Sequence, residues 1–224
     1  MEQTYISREA LKKWLTQLNG GGRHLYAPAA GANGKVDFRR VKSADEVAMG
    51  HVQTTQSPKG IAFPRVEKLF SYTKEQGKVA VQDYDPTAIP ETVLFGLHPC
   101  DAAGFGELAA IFGWDGLRDK PFDERRKRIT VVSLSCTKCD EYCFCTSLGG
   151  SPGSAAGSDL LLTPLGEEGY LVELATDKGR ALVEPCAALF APAPAAASKE
   201  AALAKVPVRF DVEALQQRLP ALFD

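Results

Sequence analysis

Two short apolar runs, each followed within a few residues by cysteine, constrain the fold of this chain more than any other feature. The runs are Thr92–Leu97 and Ile129–Leu134, and Ala102–Phe112 between them has the composition of a helix. Apolar runs of this length, without polar alternation, are typical of strands buried on both faces of a sheet. The sequence therefore predicts an α/β fold, with a mixed α+β arrangement as the alternative. Its central sheet presents cysteines at the carboxyl ends of the strands.

The segments around this core predict a β-hairpin and peripheral helices. Asp159–Leu165 and Gly169–Leu174, joined by a short turn, have the pattern of a hairpin. Helices are predicted at Ser7–Leu18 with Ser7 as the N-cap, within Phe63–Phe70, after an N-cap at Asp101, at Thr176–Phe190 and at Asp211–Leu222.

A segment rich in alanine and proline, Ala191–Ser198, divides the chain. Residues 1–190 are predicted to form a metal-binding α/β domain, and residues 191–224 a linker with a C-terminal helix.

Composition limits the partners of the chain. With 224 residues, 45% hydrophobic and 24% charged, the chain is long enough to bury a sizeable core. The net charge of −2 argues against a nucleic-acid partner, which needs a basic face. No apolar run reaches the length of a transmembrane helix, and the N-terminus lacks the pattern of a secretory signal. We therefore expect a cytoplasmic protein without direct membrane insertion.

The strongest chemical signal is a cluster of cysteines. Of the six cysteines in the chain, four follow a C-x2-C-x3-C-x-C spacing at Cys136, Cys139, Cys143 and Cys145. A disulfide framework would spread its cysteines along the chain, whereas clustered thiolates are typical of iron–sulfur and zinc sites. The spacing favours an iron–sulfur cluster over structural zinc, with redox-active thiols as a third interpretation.

The remaining candidate residues have simpler interpretations when taken alone. His98, Cys100 and Asp101 lie at a strand-to-helix junction, where α/β folds often present function. The local sequence nevertheless favours a structural His98, a Cys100 that acts as a small buried hydrophobe and an Asp101 that caps a helix. Cys186, between proline and alanine, is predicted to be a core residue.

Catalytic signatures are absent from the sequence. The glycine-rich segment Gly149–Gly153 lacks the lysine of a phosphate-binding loop and the pattern of a dinucleotide fold. The three histidines, at 24, 51 and 98, predict no nucleophile–base pair. A flavin-dependent or thiol-dependent catalytic role is therefore disfavoured, and no catalytic residue is predicted.

Several segments carry a family resemblance. They are Leu25–Pro28, Val36–Arg39, Pro64–Phe70, Phe95–Asp101, Ser135–Cys145, Asp159–Leu162, Gly169–Val172 and Lys178–Arg180. In this order they resemble the iron–sulfur β subunit of cytoplasmic NiFe sulfhydrogenases and its counterpart in anaerobic sulfite reductase. The most specific elements are the PCD motif at residues 99–101 and the YCFC motif at residues 142–145.

The resemblance implies a different set of ligands from the local sequence. The family cysteines correspond to Cys100, Cys136, Cys143 and Cys145, a complete set for one [4Fe–4S] cluster. Cys139 becomes a spare thiol or a replacement ligand. The alternative, a structural zinc scaffold, uses the four clustered cysteines and does not need Cys100.

The resemblance also implies a role in a larger assembly. It indicates a non-catalytic electron-transfer subunit of a hydrogenase, a sulfite reductase or a heterodisulfide reductase-like complex. Family subunits continue into a ferredoxin-like domain with further cysteine motifs, which this sequence does not contain. Ferredoxin-like iron–sulfur subunits and catalytic subunits that contain flavin or metal are therefore the expected partners.

Overall fold

The two apolar runs lie side by side in the middle of the fold. The computed structural model describes residues 2–31, 34–85, 88–195, 197–207 and 212–220. Its strands are β1 (Glu2–Ser7), β2 (His24–Ala30), β3 (Val36–Arg40), β4 (Phe70–Glu75), β5 (Lys78–Asp83), β6 (Thr92–Leu97), β7 (Ile129–Leu134), β8 (Leu160–Leu165), β9 (Gly169–Leu174) and β10 (Ala191–Pro192). Its α-helices are α1 (Arg8–Leu18), α2 (Lys59–Ala62), α3 (Pro99–Phe112), α4 (Lys120–Lys127), α5 (Asp177–Val183), α6 (Lys199–Leu203) and α7 (Val212–Arg218).

Eight of the strands form one mixed sheet, in the order β10-β1-β9-β8-β7-β6-β2-β3. The central pairs β2–β6, β6–β7 and β7–β8 are parallel, and the pairs toward both edges are antiparallel. The predicted α/β fold with a central sheet is therefore confirmed. The predicted hairpin is also confirmed, as β8 and β9 inside this sheet.

Helices cover both faces of the central strands. On one face, Val93 and Phe95 of β6 belong to a buried cluster that includes Trp14 of α1. On the other face, Leu94 of β6 packs in a cluster with Phe105 of α3. All six residues of β6 are buried, which explains why its sequence shows no polar alternation.

Gly96 makes an irregularity near the carboxyl end of β6. The pairing with β7 shifts its register between Phe95 and Leu97, and Gly96 has a φ of +82°. A Cβ atom at Gly96 would lie 2.9 Å from Cδ of Pro28, so only glycine fits this position. The bulge therefore sets the direction in which the chain leaves β6.

The N-termini of α1 and α3 test two of the predicted helix caps. The hydroxyl of Ser7 accepts a hydrogen bond from the N–H of Ala10 at 3.2 Å, which confirms the predicted N-cap of α1. The prediction of Asp101 as an N-cap is wrong, because α3 already begins at Pro99, with His98 as the N-cap. Proline suits the first position of a helix because its missing N–H would have no partner there. Among the described residues, no helix has both the length and the apolar character that a membrane span requires.

Two other predicted helices differ from the observed structure. The helix predicted within Phe63–Phe70 is wrong, since α2 ends at Ala62 and β4 begins at Phe70. The helix predicted from Thr176 divides into α5 and a 3-10 segment, Glu184–Leu189, at a proline that cannot continue the α-helical hydrogen bonds.

The C-terminal segment is described in part. Within the helix predicted at Asp211–Leu222, α7 is observed, while Asp211 and residues 221–222 lie outside the described residues. Ala191 and Pro192 pair with β1 at the edge of the sheet. The division of the chain at residue 190 stays a prediction.

Candidate metal centre

The carboxyl ends of β6 and β7 bring two cysteines to one edge of the sheet. Cys100 is the second residue of α3, which follows β6 directly. Cys136 lies two residues beyond Leu134, the last residue of β7. Since β6 and β7 are parallel neighbours, the residues that follow them meet at the same edge. This is the edge at which the sequence predicts a metal site.

Hydrogen bonds hold the backbone of Cys136 on both sides. The N–H of Ser135 donates to the carbonyl of Leu162 at 2.9 Å, and the hydroxyls of Ser135 and Thr163 lie 2.7 Å apart. The N–H of Cys136 donates to the carbonyl of Pro152 at 2.9 Å. The thiol is therefore attached to a well-supported part of the sheet.

Asp140 organises the loop that carries Cys143. Its carboxylate accepts hydrogen bonds from the N–H of Tyr142 at 2.9 Å and from the thiol of Cys143 at 3.4 Å. In return, the N–H of Asp140 donates to the sulfur of Cys143 at 3.4 Å. Burial and the Asp140 carboxylate raise the pKa of Cys143, while the N–H of Asp140 lowers it. A backbone N–H that faces sulfur is the kind of contact that supports a metal-bound thiolate.

Two glycines close the loop after Cys145. Cys145 begins a short 3-10 segment that ends at Leu148, and Gly149 follows with a φ of +75°. The N–H of Gly150 then donates to the carbonyl of Cys145 at 3.0 Å. A Cβ atom at Gly150 would lie 3.1 Å from that oxygen, so a larger residue would require a small shift of this turn.

The electrostatic influence of the thiols on one another shows that four of them share a neighbourhood. Burial is the largest cause that raises the pKa of Cys136 to about 12, and Cys100, Cys145 and Cys143 follow in that order. The pKa of Cys100 is raised first by partial desolvation of its thiol, although the residue is exposed, then by the Asp101 carboxylate and by Cys145. These interactions link the four cysteines that the family resemblance selects, and Cys143 also interacts with Cys139. The set of ligands stays a prediction.

The other two cysteines have different surroundings. The sulfur of Cys139 lies 3.9 Å from the carbonyl of Pro207 in the C-terminal segment, and its charge raises the pKa of Cys143. Cys186 is half-buried and packs against the larger core cluster. None of the six cysteines forms a disulfide.

The described side chains do not form a ready site for a single metal ion. Among the residues that the structure describes, no group of three or more His, Cys, Asp or Glu is arranged to hold one ion. Four thiolates on one zinc ion, each about 2.3 Å from the metal, must have their sulfurs within about 4 Å of each other. A cluster of several irons lies between its ligands and tolerates wider spacing.

Two histidines lie beside Cys136. Nδ1 of His98 shares a hydrogen bond of 3.4 Å with the sulfur of Cys136. The ring of His51 packs against that of His98 with their centroids 4.6 Å apart. Burial lowers the pKa of both histidines, that of His51 to about 4. His51 lies in a polar stretch without a periodic pattern, and no sequence signal could have identified it.

An ion pair lies beside Cys100. Nζ of Lys59, the first residue of α2, is 2.9 Å from the carboxylate of Asp101, and both side chains are partly buried. The lysine lowers the pKa of Cys100 and the carboxylate raises it. Asp101 is therefore a charged neighbour of the thiol, held in place by a residue from a distant part of the sequence.

Comparison with known proteins identifies a relative over most of this chain. The chain is 30% identical over 183 residues to "Sulfhydrogenase 2 subunit beta" of Pyrococcus furiosus, a match that covers 82% of this chain. The chain is related to the sulfhydrogenase β subunit. The resemblance inferred from the sequence motifs is thus confirmed. No family model matches the chain, and no solved structure gives a significant match.

The relationship to the sulfhydrogenase β subunit has a defined extent. The matched region corresponds to 51% of the relative, so this chain spans about half the length of that protein. By its name, the relative is one subunit of a multi-subunit sulfhydrogenase.

Proposed function

We propose that this chain is an electron-transfer subunit that carries one [4Fe–4S] cluster in a multi-subunit anaerobic oxidoreductase. The proposed ligands are Cys100, Cys136, Cys143 and Cys145. One observation carries the proposal: Cys100 and Cys136 follow the parallel neighbours β6 and β7 at one edge of the sheet, and Cys100, Cys145 and Cys143 all interact electrostatically with Cys136. Such a cluster, when bound, supplies one-electron redox chemistry.

The repulsion between the ionised thiols, rather than the raised pKa itself, supports a metal-binding role. A metal ligand must be a thiolate, and neighbouring thiolates repel one another. Without metal, the thiol of Cys136 keeps its proton at neutral pH because its pKa is about 12. Iron cations between the sulfurs would offset the repulsion, so cluster formation should release protons.

The residues around the thiols have supporting roles in this proposal. Lys59 offsets the charge of Asp101, which otherwise opposes ionisation of the Cys100 thiol. The N–H of Asp140 already faces the sulfur of Cys143. Contacts of this kind, together with burial, adjust the reduction potential of a bound cluster.

The proposed partners follow from the relationship to a sulfhydrogenase subunit. An electron carrier needs a donor and an acceptor, for which ferredoxin-like iron–sulfur subunits and catalytic subunits with flavin or metal are the proposed classes. The parent complex is proposed to be a hydrogenase, with sulfite reductase and heterodisulfide reductase-like complexes as alternatives. A cytoplasmic location stays a prediction from the sequence.

Anaerobic reconstitution tests the proposal. The purified chain, incubated with iron and sulfide, should retain about four irons per chain and show broad visible absorption. Cys100→Ser should lose most of the iron, whereas Cys139→Ser should retain it. Cys186→Ser is the matched control, because this half-buried cysteine packs against the core.

The same variants distinguish the cluster from a structural zinc scaffold. A zinc site made of the four clustered cysteines would survive Cys100→Ser and fail in Cys139→Ser. Stoichiometric zinc without iron in the wild-type chain, combined with this inverted pattern, would contradict the proposed cluster.

A further inference from the structure

A cleft of about 770 Å³ opens beside Cys136. Its walls come from the end of β7, the turn between β8 and β9, the loop at Met49–His51 and the helix α6. Small-molecule sites commonly have volumes of about 300–1,000 Å³. Among the cysteines of the described chain, only Cys136 lines the cleft. The cleft therefore adjoins the candidate metal centre, and Cys136 is the one proposed cluster ligand that lines it.

The cleft has an excess of positive charge. Arg8, Lys138 and Lys205 line it, against a single carboxylate, that of Glu167. Arg8 lies 3.4 Å from this carboxylate and also donates to the carbonyl of Gly166 at 3.0 Å. No ion pair involves either lysine within the described ranges. The charges of the two lysines are thus available to a ligand.

Two imidazole rings provide directed hydrogen-bonding groups in the same cleft. Both ring nitrogens of His51 and Nε2 of His98 are buried, and they make no hydrogen bond of normal geometry to the residues that the structure describes, although the backbone of Ala48 raises the pKa of His51 and that of Val52 raises the pKa of His98. Both rings line the cleft. Neutral imidazole has one N–H donor and one acceptor nitrogen. A ligand with oxygen acceptors would therefore find directed donors next to two positive charges.

We propose that this cleft binds a small anion through a carboxylate or an oxyanion group. Lys138 and Lys205 supply the charge, and the imidazole N–H of His51 orients the bound oxygens. In the metal-free protein the Cys136 thiol can donate to Nδ1 of His98, so that Nε2–H of His98 is a second donor to the anion. The bound anion lies next to Cys136, within reach of an electron carrier at that thiol. The binding site itself is built from the polypeptide alone, so it does not depend on the presence of a cluster.

Calorimetric titration of the full chain tests this site. Sulfate, phosphate and malonate are titrated separately at constant ionic strength, in both the metal-free and the reconstituted protein. At least one anion should bind saturably with one site per chain. Preference for malonate indicates a carboxylate ligand, and preference for sulfate or phosphate indicates an oxyanion.

Matched variants separate a built site from general attraction to positive charge. The double variant Lys138→Ala/Lys205→Ala should weaken binding at least about tenfold, which corresponds to the loss of one good charged contact. His51→Phe, which keeps an aromatic ring but removes the N–H, should also weaken it. The control Lys13→Ala/Lys74→Ala removes the same charge from exposed lysines outside the cleft and should bind as the wild type does.

Two results would overturn the anion site. The first is an absence of saturable binding to the wild-type chain with all three anions. The second is an equal loss of affinity in both double variants. If the double variant in the cleft does not fold, as judged by circular dichroism, Lys205→Ala alone provides the same comparison. The iron content of each sample is measured separately, so failure of anion binding is distinguishable from failure of the cluster.

Discussion

The two ends of the central parallel strands differ in how their polar groups are paired. Near the amino end of β8, the buried carboxylate of Asp159 accepts hydrogen bonds from the N–H of Val131 at 2.8 Å and from the hydroxyl of Thr176 at 2.6 Å. Nζ of Lys178 donates to the carbonyl of Ile129, the first residue of β7, at 3.1 Å. Polar groups at this end are therefore used to hold the elements together.

The carboxyl ends of the same strands also carry buried polar groups whose pairing is incomplete. Cys136 has a strongly raised pKa because it is buried among other thiols. The ring nitrogens of His51 are buried and make no hydrogen bond of normal geometry to the described residues. Such groups cost stability unless something else binds them. The polar groups at the amino end of β8 therefore contribute to stability, whereas the carboxyl edge is the side on which open α/β sheets commonly bind ligands.

The largest effect on stability should come from Asp159, near the amino end of β8. Asp159→Ala removes a buried acceptor and leaves the N–H of Val131 and the hydroxyl of Thr176 without their partner. We expect the free energy of unfolding to fall by about 3 kcal/mol, measured by urea denaturation of the metal-free protein. The control Asp177→Ala removes a fully exposed carboxylate that pairs with Arg180, and it should cost less than about 1 kcal/mol. If both variants lose the same free energy of unfolding, the buried hydrogen bonds of Asp159 do not have the special role in stability that the structure indicates.

The second prediction concerns the pH dependence of stability at the carboxyl ends of the strands. The pKa of Cys136 in the folded metal-free protein is raised from 9.0 to about 12, chiefly by burial. The folded state holds this proton more tightly than the unfolded chain does. The stability that the protonated Cys136 thiol contributes is therefore fully present below about pH 9 and is lost toward pH 12. Between pH 9 and 10.5, the free energy of unfolding of the wild type should fall more steeply than that of Cys136→Ser, by up to about 1.4 kcal/mol per pH unit.

Cys186→Ser provides the control for this alkaline comparison. This thiol lies outside the shared neighbourhood, so its replacement should leave the steep wild-type decline in place. If the wild type and Cys136→Ser lose stability in parallel above pH 9, the thiol of Cys136 is not the buried group that the structure indicates.

The smallest effect concerns the reactivity of the Cys100 thiol at the carboxyl end of β6. Lys59 lowers the pKa of Cys100 and the charge of Asp101 raises it. Lys59→Ala should therefore slow the alkylation of Cys100 by iodoacetamide at pH 8, and Asp101→Asn should accelerate it. Each change should be on the order of twofold, since partly exposed charges interact by about 0.2–1 kcal/mol. Mass spectrometry of the Cys100 peptide in the metal-free protein measures both rates, and changes in the same direction would contradict the assignment.

Much of the fold could be predicted because its signals are local. The buried strands β6 and β7 appear as continuous apolar runs, and β8 and β9 appear as two runs separated by a short turn. The edge on which Cys100 and Cys136 meet follows from the parallel order of strands joined by a helix. By contrast, β1 was not predicted, because its six residues alternate weakly and become a strand through pairing with β9.

The candidate site could be predicted only in part. The cysteine spacing identified the loop, and the family resemblance added Cys100 as a ligand. Lys59 and His51 have no local signal, since their importance comes from Asp101 and His98, which lie far from them in sequence. Contacts of this kind depend on how α2 and the polar loop before it pack against the sheet.

The sequence alone determined the central strands, the cysteine-rich loop and the relationship to a sulfhydrogenase subunit. These features depend on hydrophobic patterning and on the order of short motifs, both of which are written along the chain. The tertiary structure was needed to show which thiols influence one another and which charges lie beside them. It was also needed to find the cleft with positively charged lining residues next to Cys136. The physical reason is that desolvation and charge interactions depend on distance in space, and strand pairing sets that distance between residues far apart in sequence.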